Sequence, residues 1–401
     1  MKIFSVLAVF FLTGSAWAQN ITVSNKVVDR ETGEPLPFAS IGIKGRPIGT
    51  ISNLQGDFDF HIPFEYRNDI LMVSMLGYKT FEAPVWSVLE NQDKIIRMDK
   101  STIILENVIV CDSLQGGDIL RIALSRISDN YPNDPFLLEG FYRDIKMVAD
   151  TYVSLLEAAV KIYDEDYREP RNKFKLRERV ALVEVRRSMG YENRFTAFFD
   201  QDNLLEDLLL NNNIRYRQFP EEEIFFNNLK REKDTEYDNR PVFVVSHTQD
   251  YQLQVYIDKE TYGILHLQYE NRNQEELERK RGLSSRFARV KRTIDFKWVD
   301  NKLYLNFLTV ESQINWYDIK TGELKFKTLL NRQLLINRIH PHSRERIPLP
   351  QKMKSYGLQY QDQSYNKEFW DNYNVIKESP LDRKIIEDLE KHLPLEKQFK
   401  N

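Results

Sequence analysis

The chain has 401 residues, a formal net charge of −3 and a single cysteine. This balance offers no basic surface for nucleic acid, and one thiol excludes an internal disulfide. The length exceeds the roughly 250–300 residues at which one core stops growing, so we expect at least two domains, and the aromatic content of 12 % favours a mostly β fold.

Residues 1–18 have the pattern of an export signal. Lys2 provides a positive start, "IFSVLAVFFL" is an apolar core, and Ala16 and Ala18 occupy the small-residue positions of a cleavage site. The apolar run is shorter than the roughly 20 residues that span a bilayer. The pattern predicts a signal peptide at 1–18 and a protein of the periplasm or the outer-membrane face. No other segment has an apolar run long enough to predict a transmembrane helix.

Residues 19–112 are predicted to form an antiparallel β-sandwich. Short alternating runs such as "ITVSNKVVD", "ASIGIKG" and "GDFDFHI" are separated by turns, with no strong helical pattern between them. Phe58, Phe60 and Ile62 lie on one face of a predicted strand and are expected in the core.

The stretch "GTISNLQGDFDF" contains a polar loop of this sandwich. We expect Asn53 to hold the loop by accepting backbone hydrogen bonds. Gly49 and Gly56 are expected to relieve backbone strain at a corner. A ligand site in this loop is the alternative interpretation.

This segment resembles the carboxypeptidase regulatory-like domain, a small transthyretin-like β-sandwich. The resemblance covers about a fifth of the chain and depends on Gly33, Pro35, Pro37, Ala39, Gly49, Thr50, Gly56, Phe58, Gly77 and Tyr78. It implies an exported protein of the Gram-negative envelope, because the domain is common at the front of TonB-dependent outer-membrane receptors. It does not imply peptidase activity, since a zinc peptidase needs converging ligands and a Glu base, and the chain has no H-E-x-x-H pair.

Residues 113–345 are predicted to form an antiparallel α+β domain. Asp118 caps a short amphipathic helix, "DNLLEDLLLNNN" predicts another helix, and alternating runs predict a long meander with hairpin turns at 300–301 and 320–322. The segment "VYIDKETYGILHLQY" resembles part of the large curved antiparallel sheet of periplasmic lipoprotein carriers and anti-sigma-factor partner proteins. That resemblance implies a concave sheet, which either holds an acyl chain or closes over a packed core.

Residues 346–401 are predicted to be a connector and a C-terminal amphipathic helix. Ser379 suits the N-cap and Pro380 the first helical position. An apolar stripe at steps of four predicts that this helix docks on the sheet: Leu381, Ile385, Leu389 and Leu393. The aromatic-rich stretch "YNKEFWDNYNVIK" suits either buried packing or a sugar platform.

His340 and His342, in "HPHSRER", are the candidate ligand or metal residues. Two residues apart, they can share one face of a strand, and a metal would need a third ligand from elsewhere. His247 and His266 fall in neighbouring predicted strands. No G-x-S-x-G, Gly-rich phosphate loop or dinucleotide fingerprint is present, so we expect no catalytic residue and no cofactor.

The sequence therefore predicts an exported, non-catalytic binding or assembly protein of the envelope. Its expected partners are an envelope protein or an apolar or glycan ligand, and not nucleic acid. Two alternatives remain open. One is a carrier of lipid or another apolar ligand in the second domain, and the other is a hydrolase acting on envelope polymer.

Overall fold

The computed structural model describes residues 20–101, 114–188, 198–199, 203–353, 357–361, 364–377, 380–391 and 393–399. The predicted signal peptide, the predicted boundary between residues 112 and 113, and the predicted N-cap Ser379 lie outside these ranges. No helix among the described residues is long and apolar enough to span a membrane. The structure is mostly β, as the sequence predicts.

The N-terminal part is a β-sandwich of two small sheets. Its strands are β1 (Asn20–Asp29), β2 (Ser40–Ile43), β3 (Gly49–Ile51), β4 (Asp57–Pro63), β5 (Ile70–Ser74), β6 (Phe81–Pro84) and β7 (Ile95–Met98), with helix α1 (Val85–Glu90) between the last two. One sheet has the order β4-β1-β7 and the other β3-β2-β5-β6. The pairing is antiparallel except between β1 and β7, which run parallel.

The core of the sandwich follows the alternation of its strands. Phe58, Phe60 and Ile62 on β4 are fully buried, whereas the residues between them are half-buried. The preceding loop is held as predicted, because the Asn53 side-chain oxygen accepts hydrogen bonds from the backbone N–H groups of residues 55 and 57, both at 2.9 Å. Gly56 has the positive φ of a corner residue.

A twelve-stranded antiparallel sheet forms most of the remaining chain. Its path is β10-β9-β8-β19-β18-β17-β15-β14-β13-β11, with β12 paired to β13 and β16 paired to β17. These strands are β8 (Phe136–Val148), β9 (Thr151–Asp164), β10 (Arg179–Arg187), β11 (Lys230–Arg231), β12 (Thr235–Tyr237), β13 (Arg240–His247), β14 (Gln252–Asp258), β15 (Ile264–Asn271), β16 (Glu276–Lys280), β17 (Leu283–Val299), β18 (Lys302–Asp318) and β19 (Leu324–His340).

The large sheet is curved, and register shifts interrupt several of its strand pairs. Two occur between β17 and β18, after Phe287 and Asp295, and others lie between β8 and β9 and between β19 and β8. Such irregularities bend the strand that carries the extra residue.

Short helices cover one face of this sheet. They are α2 (Gly116–Ser125), α3 (Ile127–Asn130), α4 (Leu204–Leu210), α5 (Asn213–Tyr216) and α6 (Glu223–Asn227). Asp118 caps α2 from the third helical position, where its carboxylate accepts the backbone N–H of Gln115 at 3.2 Å. Ile119, Leu205 and Leu208 are fully buried against the sheet.

The opposite face of the sheet is covered by the sandwich and by the C-terminal segment. Alternation assigns the faces: Tyr142 and Leu308 belong to the cluster under the helices, whereas their neighbours Phe141 and Phe307 pack with Ile51 of the sandwich. The C-terminal helices are α7 (Lys367–Asn372), α8 (Pro380–Leu389) and α9 (Leu395–Gln398).

Helix α8 docks on the large sheet, as its apolar stripe predicts. Ile385 and Leu389 pack against Ile145 of β8 and Leu155 of β9. Leu393, which the sequence placed in the same stripe, lies beyond the end of α8, and the side chain of Leu381 is not among those described.

Candidate functional site

His340 and His342 do not lie on one face. His340 ends β19, and its Nε2 lies 3.2 Å from Glu139. His342 is in the following turn with a φ of 54°, and its Nδ1 lies 3.4 Å from Asp134. The turn sends the two imidazoles to different carboxylates. The expectation that they share a strand face is therefore wrong.

His342 and Glu345 also have the H-x-x-E spacing found in some zinc sites, which the sequence reasoning missed. That spacing brings two ligands together on a helix, but residues 341–348 form a turn and an extended connector. Within the described ranges, no three His, Cys, Asp or Glu side chains are placed to hold a metal ion. A metal at His340 and His342 stays a prediction, and the described residues provide no third ligand for it.

His247 and His266 lie two strands apart. His247 ends β13 and His266 is on β15, with β14 between them. The expectation that their strands are neighbours is therefore wrong. His266 instead belongs to a polar cluster at the junction of the sandwich and the large sheet.

A cavity of about 230 Å³ lies at this junction, and we call it the junction cleft. The sandwich provides one wall, mainly the β2–β3 hairpin and part of β5, and the large sheet provides the other. Its lining residues include Ser40, Lys44, Arg46, Met72 and Ser74 from the sandwich and Tyr237, Asp238, Lys297, Trp298 and Asp300 from the sheet.

Backbone contacts hold the two walls in place. The N–H of Ile339 donates to the carbonyl of Pro47 at 2.8 Å, and Ile48 forms a β-bridge with Arg338. On the other side, the N–H of Gly77 donates to the carbonyl of Glu236 at 3.0 Å. The sandwich is thus tied both to the end of β19 and to β12, and the cleft lies between these ties.

Asp295 is the centre of the polar cluster behind the cleft. Its carboxylate accepts the hydroxyl of Tyr237 at 3.0 Å and the amide of Asn306 at 2.8 Å. The Nδ1 of His266 lies 3.0 Å from the same carboxylate. Asn306 also reaches the hydroxyl of Ser40 at 3.3 Å, so the cluster links the sheet to the sandwich.

Asp238 lies in the tight turn between β12 and β13, where it and Asn239 both have positive φ. The hydroxyl of Ser74 donates to its Oδ1 at 3.0 Å. Burial raises the pKa of the Asp238 carboxyl above its usual value, and this hydrogen bond opposes the rise only in part. The sheet therefore presents a carboxyl with a high pKa to the cleft.

Lys297 differs from the other two cations of the cleft lining in its lack of an ion-pair partner among the described residues. Lys44 pairs with Glu82 at 2.7 Å and Arg46 with Asp69 at 3.1 Å, but no carboxylate of the described chain lies within ion-pair distance of the Lys297 ammonium. Lys297 is half-buried. Desolvation lowers its pKa to about 8, although Asp295 and Asp238 act in the opposite direction.

The ammonium of Lys297 approaches the backbone of Gly49 closely. A Cβ on Gly49 would lie 3.1 Å from Nζ and 2.8 Å from the carbonyl oxygen of Ile41. Gly49 is in β3 and lacks a positive φ, so the prediction that it relieves strain at a corner is wrong. A glycine here makes room for the neighbouring strand and for the lysine.

The groups around the cleft are not arranged for nucleophilic catalysis. A serine nucleophile needs a histidine within hydrogen-bond reach. Asn306 contacts the hydroxyl of Ser40 and Asp238 accepts that of Ser74, while Asp295 and Gln268 contact the two ring nitrogens of His266. The arrangement suits recognition of a polar ligand.

A second cavity, of about 220 Å³, includes the loop that the sequence singled out. Asn53 and Leu54 line it together with Arg143 of β8 and Ile376 of the C-terminal segment. The guanidinium of Arg143 already donates to Glu157 at 2.6 Å and to the carbonyl of Ile376 at 3.1 Å. The loop also contacts the C-terminal segment directly, because the Asn53 amide donates to the carbonyl of Lys377 at 3.2 Å.

The aromatic stretch before the last helices is used for packing. Trp370 of α7 is 4 % exposed and meets Phe141 of the sheet edge to face, with ring centroids 6.4 Å apart. The guanidinium of Arg186 lies over the same indole at 4.4 Å. This buried arrangement leaves the Trp370 ring no free face for a sugar.

The comparisons with known proteins identify the sandwich. Residues 23–110 match the family model of the CarboxypepD_reg-like domain, which confirms the resemblance stated from the sequence. The match covers less than a quarter of the 401 residues.

Two curated relatives share this part of the chain. The TonB-dependent receptor SusC of Bacteroides thetaiotaomicron is 36 % identical over 105 residues, which are 26 % of this chain and 10 % of the receptor. The TonB-dependent receptor P3 of Formosa agariphila is 33 % identical over 108 residues, which are also 26 % of this chain and 10 % of the receptor. The matched chain thus spans about a tenth of the length of these receptors.

Solved structures show only distant likeness. MucB in complex with MucA(peri) is 11 % identical, with a TM-score of 0.19, and the match covers 57 % of this chain and 99 % of that one. A structure of lipovitellin is 8 % identical with a TM-score of 0.24, and the match covers 54 % of this chain and 26 % of that one. Likeness at this level supports no statement about fold or function.

Proposed function

We propose that this chain is an exported, non-catalytic binding protein of the cell envelope, and that it binds a small polar ligand in the junction cleft. One observation carries the proposal. The cleft has walls from both the sandwich and the large sheet, and it contains an ammonium, that of Lys297, without an ionic partner in the described chain. A ligand there would contact both walls.

The envelope location is supported by the relatives and by the sequence. The curated relatives that share the sandwich are TonB-dependent receptors, and residues 1–18 have the pattern of an export signal. Fractionation of cells would test this part of the proposal. Protein found in the cytoplasm with residues 1–18 still attached would contradict it.

Neither alternative function gains support from the geometry. A carrier of acyl chains needs an apolar cavity between the sheet and the helices. At this place Leu205, Leu208 and Tyr142 are instead fully buried in one packed cluster. A hydrolase needs a nucleophile beside a base or a pair of free carboxyls. Around the cleft, the hydroxyl of Ser74 donates to Asp238 and that of Tyr237 donates to Asp295, so neither hydroxyl lies beside a free base.

The experiment that tests cleft binding uses the protein recovered from the envelope without denaturation. Native mass spectrometry is expected to show an added small-molecule mass on the wild type. Met72 is half-buried on the cleft wall, so Met72→Trp would fill the cleft, and the added mass is expected to disappear.

The matched control is Arg97→Trp, because Arg97 is exposed on β7, away from the cleft lining. This variant is expected to keep the added mass. An added mass that persists in Met72→Trp would contradict binding in the cleft, as would its absence from the wild type. Turnover of a glycan or peptide substrate by the purified protein would contradict the non-catalytic part.

A further inference from the structure

The lining of the junction cleft contains three cations, and two of them are neutralised by the sandwich itself. Lys44 and Arg46 pair with Glu82 and Asp69 at 2.7 and 3.1 Å. The Lys297 ammonium has neither an ion pair nor a hydrogen bond to the described chain. It therefore retains the donors and the charge needed to bind an anion.

An unpaired ammonium in this position destabilises the protein on its own. Moving a charge out of water is unfavourable unless a partner compensates it, and the lowered pKa of Lys297 reflects that cost. With a pKa of about 8, the amine is still mostly protonated at neutral pH. Gly49 keeps the space beside Nζ open, since a Cβ would lie 3.1 Å from it.

We infer that Lys297 anchors the carboxylate of a small ligand in the junction cleft, and this inference rests on the proposed function. A monoanion fits better than a dianion, because one ammonium compensates one charge and the carboxyls of Asp238 and Asp295 lie close enough to act on it. The cavity of about 230 Å³ limits the ligand to a small molecule. Pockets for drug-sized ligands are larger, about 300–1,000 Å³.

The carboxyl of Asp238 provides the second polar contact. It lines the same cleft and accepts one hydrogen bond from the described chain, that of Ser74. A carboxyl group has further hydrogen-bonding capacity beyond one such contact. The ligand class that satisfies both the ammonium of Lys297 and the carboxyl of Asp238 is a small carboxylate that also carries a hydroxyl or amino group.

The test compares Lys297→Met with the wild type, using lactate, acetate and inorganic phosphate as probes at constant ionic strength set with chloride. Binding is measured as the rise in the thermal unfolding midpoint with probe concentration. We expect lactate to bind the wild type more tightly than acetate or phosphate. Loss of a charge-assisted hydrogen bond is expected to weaken lactate binding by about tenfold to a hundredfold in Lys297→Met.

The matched control is Lys291→Met, because Lys291 is exposed on the same strand, β17, and is not part of the cleft lining. Its affinity for lactate is expected to stay close to that of the wild type. Lys297→Met without any probe is expected to unfold at or above the wild-type temperature, because it removes an uncompensated charge. If Lys297→Met unfolds at or above the wild-type temperature, a loss of lactate binding in this variant is not caused by a loss of folding.

Equal responses of the wild type and Lys297→Met to lactate would overturn the inference, as would tighter binding of phosphate or no response to lactate. These outcomes differ from failure of the proposed function. If the native added mass persists in Lys297→Met but disappears in Met72→Trp, the cleft binds a ligand that Lys297 does not anchor. If it persists in both, the cleft is not the site.

Discussion

Glu178 is a buried carboxyl beside an ion pair that already uses the nearest guanidinium. Asp164 accepts two hydrogen bonds from Arg215, at 2.6 and 3.1 Å. Glu178 accepts the hydroxyl of Tyr216 and the backbone N–H of Arg177. Burial and the charge of Asp164 raise the pKa of Glu178 to about 7. At the residue scale, this carboxyl links folding to pH.

The folded state holds the proton on Glu178 more tightly than the unfolded state, in which the carboxyl has its ordinary pKa of 4.5. The resulting stability is fully present below about pH 4.5 and is lost as the pH rises through about 7. Glu178→Gln removes this dependence. Relative to the wild type, we expect the variant to gain up to ~1.4 kcal/mol per pH unit across that window, measured by urea unfolding.

The control for this prediction is Glu221→Gln, because Glu221 is exposed and pairs with Lys173 at the surface. Its unfolding free energy is expected to follow that of the wild type at every pH. Parallel pH profiles for Glu178→Gln and the wild type would show that burial of Glu178 does not control the titration.

At the scale of elements, the C-terminal segment closes an open edge of the sandwich. β4 is the edge strand of its sheet. The N–H of His61 on this strand donates to the Asn374 side chain at 2.8 Å, and the Asn374 amide returns a hydrogen bond to the carbonyl of His61 at 3.0 Å. Lys377 adds an ion pair with Asp59 at 2.8 Å. Covering an edge in this way protects it from pairing with other chains.

Asn374→Ala removes both hydrogen bonds of this contact. Each hydrogen bond contributes about 1 kcal/mol, so the loss of both is expected to speed exchange of the backbone N–H of His61 by roughly tenfold to thirtyfold. Hydrogen exchange followed by NMR measures this. Asn372→Ala is the control, because within the described ranges the Asn372 amide bonds only to the Glu368 carbonyl in its own helix. Unchanged exchange at His61 in Asn374→Ala would show that the Asn374 side chain does not protect the edge of β4.

Strand and helix faces could be predicted from the sequence where they depend on the spacing of nearby apolar residues. The strand face of Phe58 and Phe60 follows from alternation, and the docking face of α8 follows from the spacing of Ile385 and Leu389. The shared strand face expected for His340 and His342 is absent because residue 342 lies in a turn with a positive φ. Spacing alone does not reveal such a turn.

The junction cleft could not be predicted from the sequence, because its parts are distant along the chain. Lys297 looks like an ordinary polar residue in an alternating strand, and Gly49 looks like a loop glycine. Only the packing of β3 beside β17 brings them together. The turn at Asp238 and Asn239 was a recognisable signal, since Asp and Asn tolerate positive φ, but it does not indicate which surface the turn faces.

At the scale of the whole molecule, the sandwich and the large sheet share a hydrophobic cluster. Ile51 is fully buried, and it packs with Phe307 and Leu335 of the sheet and not in the core of the sandwich. Phe38 stacks on Phe307 with ring centroids 5.4 Å apart. Because this contact joins the two parts, we expect them to unfold together in one cooperative transition.

Ile51→Ala tests that coupling. Removing a buried Ile side chain costs about 2–5 kcal/mol, and here the loss falls on the contact between the two parts. We expect differential scanning calorimetry to show one transition for the wild type and two for Ile51→Ala.

Ile41→Ala is the matched control, since Ile41 is equally buried but lies in the core of the sandwich. It should lower the unfolding temperature while preserving a single transition. A single transition in Ile51→Ala, with equal calorimetric and van't Hoff enthalpies, would mean that the remaining ties at Pro47, Gly77 and Asn374 suffice to couple the sandwich to the sheet.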